Sequence, residues 1–222
     1  MGSETMPESD ALSRTLVVAC GALARELIEL TKINGLEAID IEYLPASYHN
    51  SPELIPEAVR QRVVQSKSKY ENIYVGYADC GTGGLLDKVC EELQVERLPG
   101  AHCYEFFAGS ERFAEIQDAE IGTFYLTDYL TRHFDRLVIQ ALWLDRHPEL
   151  LKDYFGAYTR LVYLAQTNDP EIEQKARDAA ERLGLKFEIF HTGYGDLGSN
   201  ITNLGPSPKQ KLTETETRNN SN

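Results

Sequence analysis

The sequence predicts an α/β fold built on a mostly parallel sheet, and three observations carry that reading. Short β-branched or aromatic runs alternate with segments of helical period, the pattern of a parallel sheet with helices on both faces. The runs are Thr15 to Ala19, Ala38 to Leu44, Asn72 to Tyr77, Arg160 to Ala165 and Lys186 to Phe190. The chain has 222 residues, 42% of them hydrophobic and 26% charged, which suffices for one buried core and is unlike a disordered chain. Neither an internal repeat nor a linker divides it, so a single Rossmann-like domain is expected.

In chain order, Met1 to Leu12 has too few large apolar groups to offset the entropy of ordering it and is expected to be a flexible tail. The α/β domain then covers 13–204. A helix from about Ala22 to Lys32 places Leu23, Leu27 and Leu30 on one face and Arg25, Glu26 and Glu29 elsewhere, and Gly35 stops it. A second follows the SPEL stretch, with Ser51 as N-cap, Pro52 in the first turn, and Ile55, Val59 and Val63 at helical spacing. A third runs from about Leu85 to Leu93. Gln94 to Leu98 reads as a further strand or an extended crossing segment. From about 122 to 157 the pattern is helical and aromatic-rich (GTFYLTDYLTRHF, LVIQALWL, ELLKDYF), predicting an insertion of two or three helices beside the sheet. The helix from Pro170 to Leu183 returns to the last strand. Gly205 to Asn222 is again poor in large apolar groups and is expected to be a second tail.

The 35 acidic and 22 basic side chains leave a net charge of −13, a field that repels phosphate backbones and anionic lipid surfaces. Nucleic acid and membrane are therefore not expected as partners, and no apolar run approaches the roughly 20 residues of a membrane span. The opening MGSETMPESD shows neither a secretory nor a transit signal, so a cytoplasmic location is expected. In that compartment the four cysteines read as thiols, with metal binding or catalysis the question.

In open parallel sheets, functional groups collect in the loops beyond the carboxyl ends of the strands, where helix N-termini point outward. Cys20 ends the first strand; Tyr48 and His49 follow the second; Asp79 and Cys80 end the third; Thr167 follows the fourth; His191 and Tyr194 follow the last. Cys103 reaches the same edge if the run Gln94 to Leu98 is parallel. Three thiols would then converge, and thiolates are soft ligands suited to zinc or to a [4Fe-4S] cluster. Cys20 and Cys80 also precede helix starts, whose backbone field lowers a thiol's pKa. Each thiol alone reads first as core, since free cysteine is among the most buried residue types and no CxxC pair is present. Cys90 shares a helical stripe with Leu86, Val89 and Leu93 and is assigned to the core.

Gly81, Thr82 and Gly83, from the GTGG stretch, offer backbone to an anion or cofactor, or form a tight turn that doubles the chain back around Cys80. His102 and Glu105 flank Cys103 and supply a ligand, a proton relay or a supporting carboxylate; alternatively His102 is an exposed loop residue. His133 and His147 read as structural, and Phe124, Tyr125, Tyr129 and Phe134 as core. Neither GxSxG nor HExxH is present.

At these residues the sequence resembles domain-of-unknown-function family 1638, over nearly the whole chain between the two tails. The resemblance is carried by ACGAL (Ala19 to Leu23), YHNSPELI (Tyr48 to Ile55), YADCGTGG (Tyr77 to Gly84), HCYE (His102 to Glu105), GTFYLTDYL (Gly122 to Leu130) and YLAQT (Tyr163 to Thr167). It implies a neighbourhood of corrinoid proteins and corrinoid methyltransferases, hence a role in one-carbon metabolism, and it implies no reaction. In architecture alone the chain is also similar to the [4Fe-4S]-dependent thiouracil desulfidases, which place three cysteines around a small α/β domain and leave one iron open for a substrate sulfur.

The expectation is therefore an enzyme, a methyltransferase or desulfidase, in which Cys20, Cys80 and Cys103 hold zinc or a [4Fe-4S] cluster with one open position for a small methylated or sulfur-bearing substrate. Glu105, His102, His49 and Asp79 are the candidate acid–base groups. His191, Tyr194, Thr167 and Tyr48 are the candidate pocket walls. The alternatives are a non-catalytic module that delivers a metal, a corrinoid or a methyl group to a partner, and a metal-free cysteine enzyme using Cys80 with a base such as His49.

Overall fold

Seven parallel strands divide between two sheets in the computed structural model, which describes residues 14–204. The two expected tails lie outside the described residues. The elements are β1 (Thr15–Cys20), α1 (Ala24–Ile33), β2 (Ile39–Leu44), α2 (Ile55–Ser66), β3 (Asn72–Gly76), α3 (Leu85–Leu93), β4 (Glu96–Arg97), α4 (Glu105–Ala108), α5 (Ser110–Ala119), β5 (Thr123–Thr127), α6 (Asp128–Arg132), α7 (Leu151–Phe155), β6 (Arg160–Ala165), α8 (Pro170–Leu183), β7 (Lys186–His191) and α9 (Gly195–Thr202). Short 3-10 turns and one π-helical stretch, Asp135–Gln140, join some of them.

The first sheet has the order β2-β1-β3-β4 and the second β5-β6-β7, every pairing parallel. Of the interior strands, β1 (TLVVAC) and β6 (RLVYLA) are buried at every residue, as strands covered on both faces are. The α/β class and the parallel pairing are those the sequence predicts; the strands form two sheets where one was expected.

The difference arises at the expected helical insertion. Thr123–Thr127, TFYLT, is a strand that pairs with β6 from Thr123↔Arg160 to Thr127↔Leu164 and so founds the second sheet. A five-residue run of β-branched and aromatic residues next to a helical segment is ambiguous in period, and only its partner strand decides it. The rest of the segment is helical: α6, the π-helical stretch and α7 pack Phe134, Leu137, Val138, Leu144 and Phe155 into the second core with α8.

The first core joins β1 and β3 to α1, α2 and α3, and it also takes Leu197 and Ile201 of α9. The chain thus returns from the second sheet to close over the first. Between the sheets Asn50 Nδ2 donates to the Leu137 carbonyl at 3.0 Å, and the Tyr194 hydroxyl donates to Glu29. An aromatic stack from His102 to Tyr104 to Tyr125, with centroids 5.0 and 5.3 Å apart, spans the same junction. Among the described residues no helix is long and apolar enough to cross a membrane.

Candidate functional site

Cys20 is the last residue of β1 and 7% exposed. Gly21 lets the chain leave the strand against the end of β2, because a Cβ there would lie 2.9 Å from the Leu44 carbonyl oxygen. The Ala22 amide donates to the Cys20 sulfur at 3.4 Å, which favours the thiolate. Burial outweighs it: the thiol is pushed up to about 11, with the neighbouring Cys80 adding to the rise. The expectation that the helix start would lower this pKa is corrected here, since one amide dipole is smaller than the loss of hydration.

Cys80 has a φ of +50°, a left-handed conformation that glycine adopts at less cost than cysteine. Its position depends on β4, which is parallel to β3 as the approach of Cys103 requires. The pairing continues past both strands: the Leu98 amide donates to Val75 O, that of Asp79 to Gly100 O, and that of Cys80 to Ala101 O. Cys103 therefore emerges beside Cys80. Hydrogen bonding between the two sulfurs lowers the Cys80 pKa, and raises that of Cys103, which burial raises further. Of the two, Cys80 gives up its proton the more readily.

Cys20, Cys80 and Cys103 line one cavity of about 20 Å³, together with His49, Tyr77 and Glu26. Thr127 and Leu130 close it from the second sheet, so it lies where the carboxyl ends of β1, β3 and β5 meet. The Tyr77 hydroxyl, next to Cys20, is buried without a hydrogen-bond partner of ordinary geometry. The donors suit a soft ion, and the volume suits one small occupant, since about 10–15 Å³ holds a water. As the side chains stand, no group of three or more His, Cys, Asp or Glu among the described residues is close enough together to hold a metal ion. A soft ion would be held only if the sulfurs drew together and Cys20 and Cys103 lost their protons.

The other candidates separate. His49 is an exposed residue that also lines the cavity, and its pKa is lowered by loss of hydration and then by His102. His102 stacks on Tyr104, and burial lowers its pKa against the opposing charges of Glu105 and Asp79. Tyr48 is half-buried against the first core. Glu105 turns back to accept the Ala101 amide at 2.9 Å.

Asp79 accepts from Thr82 Oγ1 at 2.7 Å, the Gly84 amide at 2.8 Å and the Gly83 amide at 3.1 Å. Burial acts to raise its pKa, but these bonds and the Arg97 charge outweigh it and leave the carboxyl below its ordinary value. The GTGG stretch is thus a turn whose amide donors at Gly83 and Gly84 are taken by the protein's own carboxylate. This is the tight turn that the sequence offers as the alternative to backbone contact with an anion or cofactor.

Thr167, Tyr194 and His191 do not line the cavity. Their strands belong to the second sheet, which meets the cavity through β5 and α6. Thr167 Oγ1 donates to Asp128, Tyr194 donates to Glu29, and His191 is exposed at the end of β7. Cys90 is buried in the first core, on its helical stripe.

The structure corrects the expectation that Glu26 stands off the inward face of α1. Glu26 in the first turn of α1 is 3% exposed, its Oε2 has no hydrogen-bond partner, and burial raises its pKa, with the Asp128 charge adding. The signal was in the spacing: Glu26 stands three residues after Leu23 and four before Leu30, inside the stripe that packs inward.

A family model described as a protein of unknown function (DUF1638) matches residues 43–201, a span that holds Cys80 and Cys103 and leaves out Cys20 and Glu26. No curated protein and no solved structure matches the chain.

Proposed function

The chain belongs to the DUF1638 family, whose description carries no reaction, and from its thiols we propose that Cys20, Cys80 and Cys103 hold a metal centre that acts on a small methylated or sulfur-bearing substrate. The observation that supports this reading is the meeting of three sulfurs, delivered by β1 and by the loops after β3 and β4, on one buried cavity. The choice lies between zinc and a [4Fe-4S] cluster, and the small volume favours a single ion. Zinc bound there would supply Lewis acidity and lower the pKa of a substrate thiol. The protein's part is to keep water out with Leu23, Ile55, Phe107 and Leu130, and to present His49 at the mouth. A role in the cytoplasm beside a corrinoid protein or corrinoid methyltransferase, in one-carbon metabolism, belongs to the same proposal.

Anaerobic purification followed by metal analysis and absorption spectroscopy tests it. One zinc per chain in a colourless protein supports a zinc centre, and iron with sulfide and a brown colour supports a cluster. Protein that neither contains nor takes up a thiophilic metal overturns the reading. The lowered pKa of Cys80 favours a second reading, a metal-free nucleophilic cysteine. Activity abolished in Cys80→Ser and retained in Cys20→Ser selects it.

A further inference from the structure

We propose that Cys80 and Cys103 form a reversible thiol–disulfide couple, oxidised by low-molecular-weight disulfides, with Cys20 outside the pair. The contact between the two residues needs no metal, so the couple stands apart from the metal centre of the proposed function.

The loops after β3 and β4 stay paired, with the Asp79 amide on Gly100 O at 3.2 Å and the Cys80 amide on Ala101 O at 2.9 Å. Cys103 follows two residues later. Its thiol and its backbone amide both act as donors toward the Cys80 sulfur, which therefore lies against the Cys103 sulfur and against the Cys103 main chain. Disulfides need close backbones, with Cα atoms at most roughly 7 Å apart, and the paired loops bring these two together. Both residues also line the same cavity of about 20 Å³, with no segment of chain between them to move aside.

The other two thiols are held elsewhere. The Cys20 sulfur accepts from the Ala22 amide at 3.4 Å and sits beside the Tyr77 hydroxyl, and Cys80 acts on it by charge alone. Cys90 is buried in α3, on the stripe that packs into the first core. Of four free cysteines, one pair is in place to join.

Cys80 and Cys103 are each half-buried, so a small reagent has access to them. Cys103 is the donor between the sulfurs and Cys80 the acceptor, which makes Cys80 the attacking sulfur. Its thiolate attacks one sulfur of the small disulfide, forming a mixed disulfide and releasing one small thiolate. Cys103 then loses its proton and attacks the Cys80 sulfur, expelling the second small thiolate. The two protons given up by the cysteines convert both leaving thiolates to thiols. Two electrons thus pass from the protein to the reagent, and one sulfur–sulfur bond replaces another. A disulfide presents no thiolate, so the oxidised protein should bind no metal through these two sulfurs.

Reduced, metal-free protein incubated under native conditions with 2-hydroxyethyl disulfide, then quenched in acid, unfolded and blocked with N-ethylmaleimide, tests the proposal by peptide mapping in a mass spectrometer. The expected product is a single bond joining Cys80 to Cys103, with Cys20 and Cys90 blocked, and it is reversed by a phosphine reductant. Cys103→Ser should stop at the mixed disulfide on Cys80. Cys20→Ser should form the bond within about twofold of the wild-type rate. A major product that includes Cys20 or Cys90, no bond at an excess of reagent, or a larger slowing by Cys20→Ser overturns the proposal. Zinc uptake by the reduced and oxidised forms is measured separately: protein that binds zinc in neither form fails the metal reading on that result alone, and the peptide map still decides the couple.

Discussion

The Cys80 amide donates to the Ala101 carbonyl at 2.9 Å, so the chain beyond β3 and the chain beyond β4 stay paired after both strands have ended. This bond carries Cys103 to Cys80 and turns two distant segments into one site. It also ties thiol chemistry to a backbone register, so changes in the loop at Gly100 to Cys103 should act on the sulfurs without touching them.

Replacing Cys20, Cys80 or Cys103 by Ser should remove most bound metal, because a hydroxyl is a poor soft ligand and an open site has no spare donor. Cys90→Ala should keep the full metal content and lose about 1 kcal/mol of stability, since it trims a packed helix face. Metal analysis and thermal melts on the four variants separate these outcomes. Retention of metal by Cys103→Ser, with loss by Cys90→Ala, would reverse the assignment of ligand and core thiols.

Metal uptake should release protons and strengthen as pH rises, because Cys20 and Cys103 are held protonated in the metal-free protein. The stability of the metal-free protein runs the other way. The Cys20 pKa is raised from 9.0 to about 11, so its contribution is complete below pH 9 and is lost as pH climbs through 11. Two units correspond to about 3 kcal/mol. Melts of wild type and Cys20→Ala between pH 8 and about 11 should therefore converge as pH rises; parallel curves would contradict the burial of this thiol.

Glu26→Leu should stabilise the metal-free protein by about 1–3 kcal/mol at neutral pH, because it removes a buried carboxyl with an unpartnered oxygen. The folded pKa lies above the ordinary 4.5, so wild-type stability falls as pH rises from 4.5 through the folded value. The gap between wild type and Glu26→Leu should open over that range. Chemical denaturation at several pH values checks it, and a destabilised variant would show that Glu26 supports the fold.

Asp79→Ala should cost about 1–2 kcal/mol, as loss of a side chain that satisfies backbone donors at a turn into a helix does. Asp79→Asn should lose less, since its oxygen still accepts. The folded pKa lies below 3.8, so the contribution is present above that pH and is lost as pH falls through the folded value. Because Cys80 is the next residue, Asp79→Ala should also weaken metal uptake, measured by competition with a chelator.

Asp128 is fully buried and accepts from Tyr163, Gln166 and Thr167 while pairing with Arg132. Asp128→Ala strands these donors and leaves the Arg132 guanidinium unpaired, at a cost of about 3 kcal/mol. Denaturant unfolding should show it. An unchanged midpoint would mean that the junction of β5 and β6 does not depend on this carboxylate.

Local pattern alone determined the strands β1, β2, β3, β6 and β7 and the helices α1, α2, α3 and α8, because each has enough apolar residues at one period to declare its class. It also placed Cys20, His49, Cys80 and Cys103 at strand ends and put Cys90 on a packed stripe. Only the tertiary structure decided that TFYLT is a strand, since parallel pairing is made with a partner more than thirty residues away. The second sheet then withdrew Thr167, Tyr194 and His191 from the cavity and turned α6 toward it. Packing in the assembled fold likewise buried Glu26 and pushed Cys20 up to about 11. A helix's own sequence shows which residues share a face, but burial is set by what packs against that face. Desolvation of a carboxyl or a thiol comes from atoms contributed by distant segments, and a spacing rule has no access to them.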